Sequence, residues 1–345
     1  MKRGNQRPRV VRFIFLAQLC LSGVLFSGCS LPVEPAMTST PVLPTAPLVQ
    51  ATSTPSLTPS LLSPTTATQP LEPTGKIVWT CQVYGQQYHD QICIENADGS
   101  GYRQLTDDAE AENYYPSFAP DGNSLVYASN RSGKYEIYVL DLGTDASVQL
   151  THGLGEVAAP AISPDGRWIV FANNDTVFNS IWRMRRDGSD PQKIFGQEEA
   201  DALDPSWSPD GTKILFAFGR GTDKQLYTIN PDGSDLHLVS ADFRTRGRSD
   251  WSPDGSWIAS YAGSPWNWGM YFIKADGSGV QPIQVGGVAL APAFSPDGEW
   301  IVFTGYLDHP GDPDGCEIYV MRLNGSLIAR MTYNNYCDYQ PRWGP

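Results

Sequence analysis

The chain has 345 residues, of which 41% are hydrophobic, with 33 Gly, 28 Pro and a formal net charge of −13. That length buries a sizeable core in one to three domains, and so much Gly, Pro and aromatic content favours short strands joined by turns over a helical protein. Residues 1–29 hold five basic residues and no acid, so the remainder carries 19 basic against 37 acidic residues, or −18, a balance that repels nucleic acid and anionic lipid headgroups.

The N-terminus reads as an address. Lys2, Arg3, Arg7, Arg9 and Arg12 precede an apolar run, and small residues follow it, which marks residues 1–28 as a secretory signal. The run contains Gln18 and is short of the roughly 20 residues that a membrane span needs. Phe26-Ser27-Gly28-Cys29 resembles a bacterial lipobox. The resemblance implies that Cys29 becomes the first mature residue and carries lipid, with more than one acyl chain giving firm anchoring. Residues 29–74 are rich in Pro and Thr and cannot build a core, so they read as a disordered tether.

From residue 75 onward the chain repeats itself. The phrases FAPDG (118–122), ISPDG (162–166), WSPDG (207–211), WSPDG (251–255) and FSPDG (294–298) place Asp121, Asp165, Asp210, Asp254 and Asp297 at steps of 44, 45, 44 and 43 residues. A strand-rich period of 40–50 points to propeller blades of four strands. Within one unit, DPSWS is a first strand and PDG a turn, in which Pro presets φ, Asp bonds its own backbone and Gly accepts positive φ. KILFAF is a second strand, QLYTI a third, NPDG a hairpin turn and LHLV a fourth. The repeated Asp therefore reads as a joint rather than a reactive group, and the aromatics before it (Phe118, Trp207, Trp251, Phe294) are expected between neighbouring blades. Residues 75–106 lack a first strand, and YQPRWGP at 339–345 supplies one. This predicts an all-β, six-bladed propeller over 75–345, closed by its N- and C-terminal strands.

The WSPDG unit, followed by an apolar strand, SNRSGKYEIYVLDL (129–142), ADGSG and RQLT, resembles the TolB-type propeller repeat over nearly all of 75–345. The resemblance implies the propeller fold and not a role in a Tol–Pal system. Two departures stand out. TolB carries an α/β domain before its propeller where this chain has a tether, and TolB is soluble where this chain has a lipobox.

Four cysteines remain after Cys20 and Cys29, namely Cys81, Cys93, Cys316 and Cys337. In an exported chain they read as two disulfides with three possible pairings, of which the blade scheme prefers Cys81–Cys93 and leaves Cys316–Cys337. No Ser stands in a nucleophile elbow, and His89, His152, His237 and His309 lack metalloprotease spacing. No catalytic residue, metal or cofactor is assigned. Residues 311–317 echo a calcium loop, but Pro310 stands where the first ligand belongs.

What remains is a surface. Loops between second and third strands, and between one blade and the next, share one face of a propeller. They bring together a candidate binding face of Tyr84, Tyr88, His89, Arg131, Arg220, Trp266, Trp268, Tyr306 and His309. The residues before each first strand give a candidate channel mouth of Tyr115, Asp204, Arg248 and Gln340. The expected role is a non-catalytic scaffold or adaptor: a monomeric ring on a lipid anchor that binds an envelope protein or peptide. Glycan binding through a row of exposed aromatics is the alternative, and a hydrolase or lyase the remote one.

Overall fold

The computed structural model describes residues 72–84, 88–264, 267–308 and 315–345. The signal segment, Cys29, the tether up to residue 71, Trp266 and His309 lie outside the described residues. Twenty-four strands form six four-stranded antiparallel sheets arranged as the blades of a propeller, and no helix occurs among the described residues. Blade 1 is built from β24 (Asp338–Gly344), β1 (Lys76–Tyr84), β2 (Tyr88–Asn96) and β3 (Arg103–Gln104), in that order from the axis outward. Blade 2 holds β4–β7 (residues 113–149), blade 3 β8–β11 (156–195) and blade 4 β12–β15 (201–238). Blade 5 holds β16–β19 (250–283) and blade 6 β20–β23 (289–330).

The second strand of each blade is buried on both faces because a blade packs on either side of it. These strands therefore read as continuous apolar runs, not as alternating ones. In β5 (Ser124–Ser129) and β21 (Trp300–Gly305) all six residues are buried. The aromatic before each turn fills the seam between blades as expected. Trp207 donates its indole N–H to the Ala161 carbonyl of blade 3 at 3.1 Å. Phe294 of blade 6 stacks on Phe272 of blade 5, with ring centroids 5.6 Å apart.

The repeated SPDG phrase is indeed a joint. In blade 5 the Ser252 hydroxyl donates to Asp254 Oδ1 at 2.6 Å and accepts the Trp257 N–H at 2.9 Å. The Ser256 N–H donates to the same Oδ1 at 3.0 Å, and Gly255 sits at φ 71°, where a side chain is strained. Ser163, Ser208 and Ser295 repeat the arrangement in blades 3, 4 and 6. Ser252 is buried and serves both turn partners, so Ser252→Ala is expected to cost about 1–2 kcal/mol in urea unfolding without changing the fold.

A second device recurs where each blade hands over to the next. Thr106, Thr151 and Thr332 accept the N–H groups of Ile92, Ile137 and Ile318 at 2.9, 2.8 and 3.0 Å. They fasten the linking loops of blades 1, 2 and 6 to their own third strands. The ring closes through β24, which pairs with β1 from Lys76↔Gly344 to Cys81↔Asp338. Cys81–Cys93 bridges β1 to β2. Cys316–Cys337 bridges the approach to blade 6's third strand to the approach to β24.

Candidate functional site

Six equivalent positions surround the ring axis, one per innermost strand. Five are Tyr115, Ala159, Asp204, Ala291 and Gln340, with φ between 49° and 57°. Each is followed by proline: Pro116, Pro160, Pro205, Pro292 and Pro341. Proline has no N–H to give the ladder, so the residue pair drops out of register and the strand bulges. The register shifts in all five strands fall at these pairs.

Blade 5 breaks the pattern. Ser249 replaces proline, and the inner strand β16 is cut down to Asp250–Trp251. The sixth position is Arg248, which lies inside the channel and not at its mouth, with only 5% of its surface exposed. Its guanidinium donates to the Pro116 carbonyl at 3.0 Å and to the Gln340 carbonyl at 3.1 Å. Blade 5 and blade 2 face each other across a six-membered ring, so this side chain crosses the channel. Its charge lies 5.5 Å from the centre of the Tyr115 ring. Arg342 adds a second buried cation, donating to Ser249 O at 3.2 Å. Asp204 and Asp250 balance the pair. Burial raises both carboxyls, opposed chiefly by Arg248 at Asp204 and by Arg342 at Asp250. The other predicted mouth residues, Tyr115, Asp204 and Gln340, are half-buried in the channel wall. Gln340 Oε1 accepts from the Thr80 hydroxyl at 3.2 Å and the Tyr115 N–H at 3.3 Å.

The loop face is more polar than the sequence led us to expect. Trp268 and Tyr306 are inside, not on the face, at 8% and 5% exposure. In β18 (Asn267–Lys274) Trp268 shares the strand's inward face with Met270, two residues on, and meets Tyr261 edge to face at 6.4 Å. Tyr306 belongs to the same cluster. Arg131 is on the face but is held down: it donates to Tyr127 OH at 2.8 Å and Asn113 Oδ1 at 3.1 Å, and lies 4.7 Å from the Tyr138 ring centre. Arg220 is well exposed and pairs with Glu199 at 2.6 Å. Tyr84 and Tyr88 form the last backbone pair of the β1–β2 ladder.

His89 is half-buried, and beside it lies a cluster that residue types alone did not reveal. The Tyr114 hydroxyl donates to Asp90 Oδ2 at 2.6 Å. The Asp90 N–H donates to Glu112 Oε2 at 2.7 Å, and His89 Nδ1 stands 3.9 Å from Glu112 Oε1. Burial, with the Glu112 charge behind it, pushes the Asp90 carboxyl up to about 6. Tyr135 and Tyr339 flank Tyr114 at 5.7 and 6.3 Å between ring centres. The cluster seals the seam of blades 1 and 2 just below the loop face. Among the described residues no group of three His, Cys, Asp or Glu side chains is placed to hold a metal ion.

The model of the TolB beta propeller domain matches this chain over residues 74–286. The chain belongs to the TolB beta propeller domain family. An uncharacterized protein of Agrobacterium fabrum is 41% identical over 81 residues, which is 24% of this chain and 28% of that protein. A Tol-Pal system protein TolB of Francisella tularensis is 29% identical over 89 residues, 26% of this chain and 20% of that protein. The chain thus spans between a fifth and a third of these curated relatives. Among solved structures, TolB from Acinetobacter baumannii superposes with a TM-score of 0.67 at 20% identity, covering 79% of this chain and 67% of that one. A chain of a nidogen/laminin complex gives 0.63 at 11% identity over 78% and 98%. At these identities the likeness is one of fold.

Proposed function

We propose that this TolB-family propeller is a non-catalytic scaffold of the bacterial cell envelope, held outside the cytoplasm by lipid on Cys29 and binding an envelope protein or peptide on its loop face. The observation that carries this reading is the crossed channel. The axis of a propeller is a ready place for a small ligand, and here Arg248 fills it with bonds to carbonyls of blades 1 and 2. Recognition then falls to the broad outer faces. The loop face has the mixed character of a protein contact: the exposed Arg220–Glu199 pair, the Arg131 guanidinium over tyrosines and His89 beside Glu112. The Francisella relatives are named as members of a multi-component system, which agrees with an adaptor role.

The test places a photo-reactive residue at Arg220 or Lys134 on the loop face of the full chain, and at Asp98 on the opposite face, in cells that lipidate their exported proteins. The expected result is one dominant protein adduct, sedimenting with membranes, from the two loop-face positions and none from Asp98. Equal labelling from both faces, or no protein adduct, overturns the proposal.

A further inference from the structure

The face opposite the loops, formed by the SPDG joints and the outer hairpin turns, carries two clefts of the same construction. One, of about 290 Å³, lies at the seam of blades 5 and 6 among Asp254, Trp257, Phe272, Phe294, Asp297 and Leu323. The other, of about 180 Å³, lies at the seam of blades 3 and 4 among Asp165, Trp168, Trp207, Asp210 and Pro231. Each has an aromatic floor, two carboxylates from successive SPDG turns and no cationic side chain in its lining.

The repeat shows what fits such a place. Three residues after the turn Asp stands Trp168 in blade 3, Trp257 in blade 5 and Ser124 in blade 2. Across each seam, the residue before the next blade's hairpin DG or NG is Pro231, Leu323 and, at the seam of blades 2 and 3, Arg186. Arg186 reaches over that seam and donates to the Ser124 hydroxyl at 2.8 Å; burial lowers its pKa and the Asp121 charge opposes that. The chain therefore fills the seam of blades 2 and 3 with its own guanidinium. At the seam of blades 4 and 5 the Trp position is taken by Lys213, which pairs with Asp235 of its own blade at 2.5 Å. Both indoles also lie under cations of their own blades, with Arg183 and Arg185 4.1 and 5.1 Å from the Trp168 ring centre and Lys274 5.9 Å from that of Trp257. Serine donors hold Asp254 down at about 2 and lower Asp165 and Asp210, so the rims stay anionic in any envelope pH.

We infer that the clefts at the 3/4 and 5/6 seams each bind an arginine side chain presented by a partner protein, in the manner of the internal Arg186. The guanidinium lies against the indole while the two Asp carboxylates accept its N–H groups. This site is separate from the loop face and does not depend on the scaffold reading.

The test titrates the full-length protein with Nα-acetyl-arginine amide and follows the indole N–H resonances by NMR, with Trp168→Phe and Trp257→Phe as assignments. The expected result is a saturable shift of those two resonances that weakens with added salt. Leu323→Arg supplies an internal arginine at the 5/6 seam. It should weaken the Trp257 response about tenfold or more while leaving that of Trp168 intact and the protein folded. Pro231→Arg should do the reverse. The inference is overturned if arginine amide leaves both indoles unmoved, if chitooligosaccharide moves them instead, or if Leu323→Arg responds at Trp257 as the native chain does.

Discussion

Replacing Arg248 by alanine should destabilise the ring by about 3–5 kcal/mol, read as a fall in the urea midpoint with both disulfides intact. The change removes two hydrogen bonds to carbonyls on the far side of the channel, at 3.0 and 3.1 Å. It also leaves Asp204 facing the axis with Arg342 as its remaining nearby guanidinium. Arg248→Lys keeps the charge but loses the fork that spans two acceptors, so it should fall between the two. Because Arg342 also disfavours the charge on Arg248, Arg342→Met should cost less than Arg248→Ala. An Arg248→Ala protein within 1 kcal/mol of the native one would show that water replaces the guanidinium freely and that the channel is not crossed in solution.

Acidification from pH 8 to pH 5 should stabilise the protein, the reverse of the usual acid response. Three buried carboxyls of blade 1 drive this. Burial lifts Asp90 to about 6, Glu95 to about 7 with help from Asp98, and Asp338 to about 7 with help from Glu317. Unfolded, each titrates near 4, so between roughly pH 4 and 7 the folded chain binds more protons than the unfolded one. Stability is therefore fullest at the acid end of that window and is lost as pH rises through the folded values. At 9% and 1% exposure, Asp90 and Asp338 are expected to contribute about 1 and about 3 kcal/mol to the difference between pH 5 and pH 8. The turn carboxylates run the other way. Serine donors lower Asp165, Asp210 and Asp254, so their contribution disappears only below about pH 4. Thermal midpoints at pH 5 and pH 8 check the prediction, and Asp338→Asn should flatten the profile. Equal midpoints in the native chain would contradict it.

The fold was legible because its signal repeats. Five PDG turns at a steady period and a spare first strand at the C-terminus specify a closed ring of six blades, and the strands and their pairing follow. The axis was half legible. Tyr115, Asp204, Arg248 and Gln340 could be picked as residues entering each inner strand, but Ala159 and Ala291, which hold the same bulge, carry no chemical mark. That Arg248 would cross the ring depended on Ser249 replacing proline, a one-residue departure whose meaning appears only against the other five blades. Trp268 and Tyr306 were misjudged because their segments look like loop tips. Strand β18 begins one residue before Trp268 and its pleat turns the indole inward. Asp90, Glu95 and Asp338 escaped notice for the converse reason: an acid within a strand suggests a solvated edge until the neighbouring blade is in place.

The shared blade has a mechanical meaning. Any pull delivered through the chain preceding Gly75 enters the ring at Lys76, the start of β1, which lies between β24 on one side and β2 on the other. Both ladders are antiparallel, the one with β2 running the length of the strand and the one with β24 from Lys76 to Cys81, so the load is borne in shear by two rows of hydrogen bonds at once instead of peeling one row open. The Cys81–Cys93 bridge passes tension directly to β2 before the far end of β1 can extend. Cys316–Cys337 locks the approach to β24 to blade 6. Tension entering there thus falls on a strand that is fastened along both of its edges.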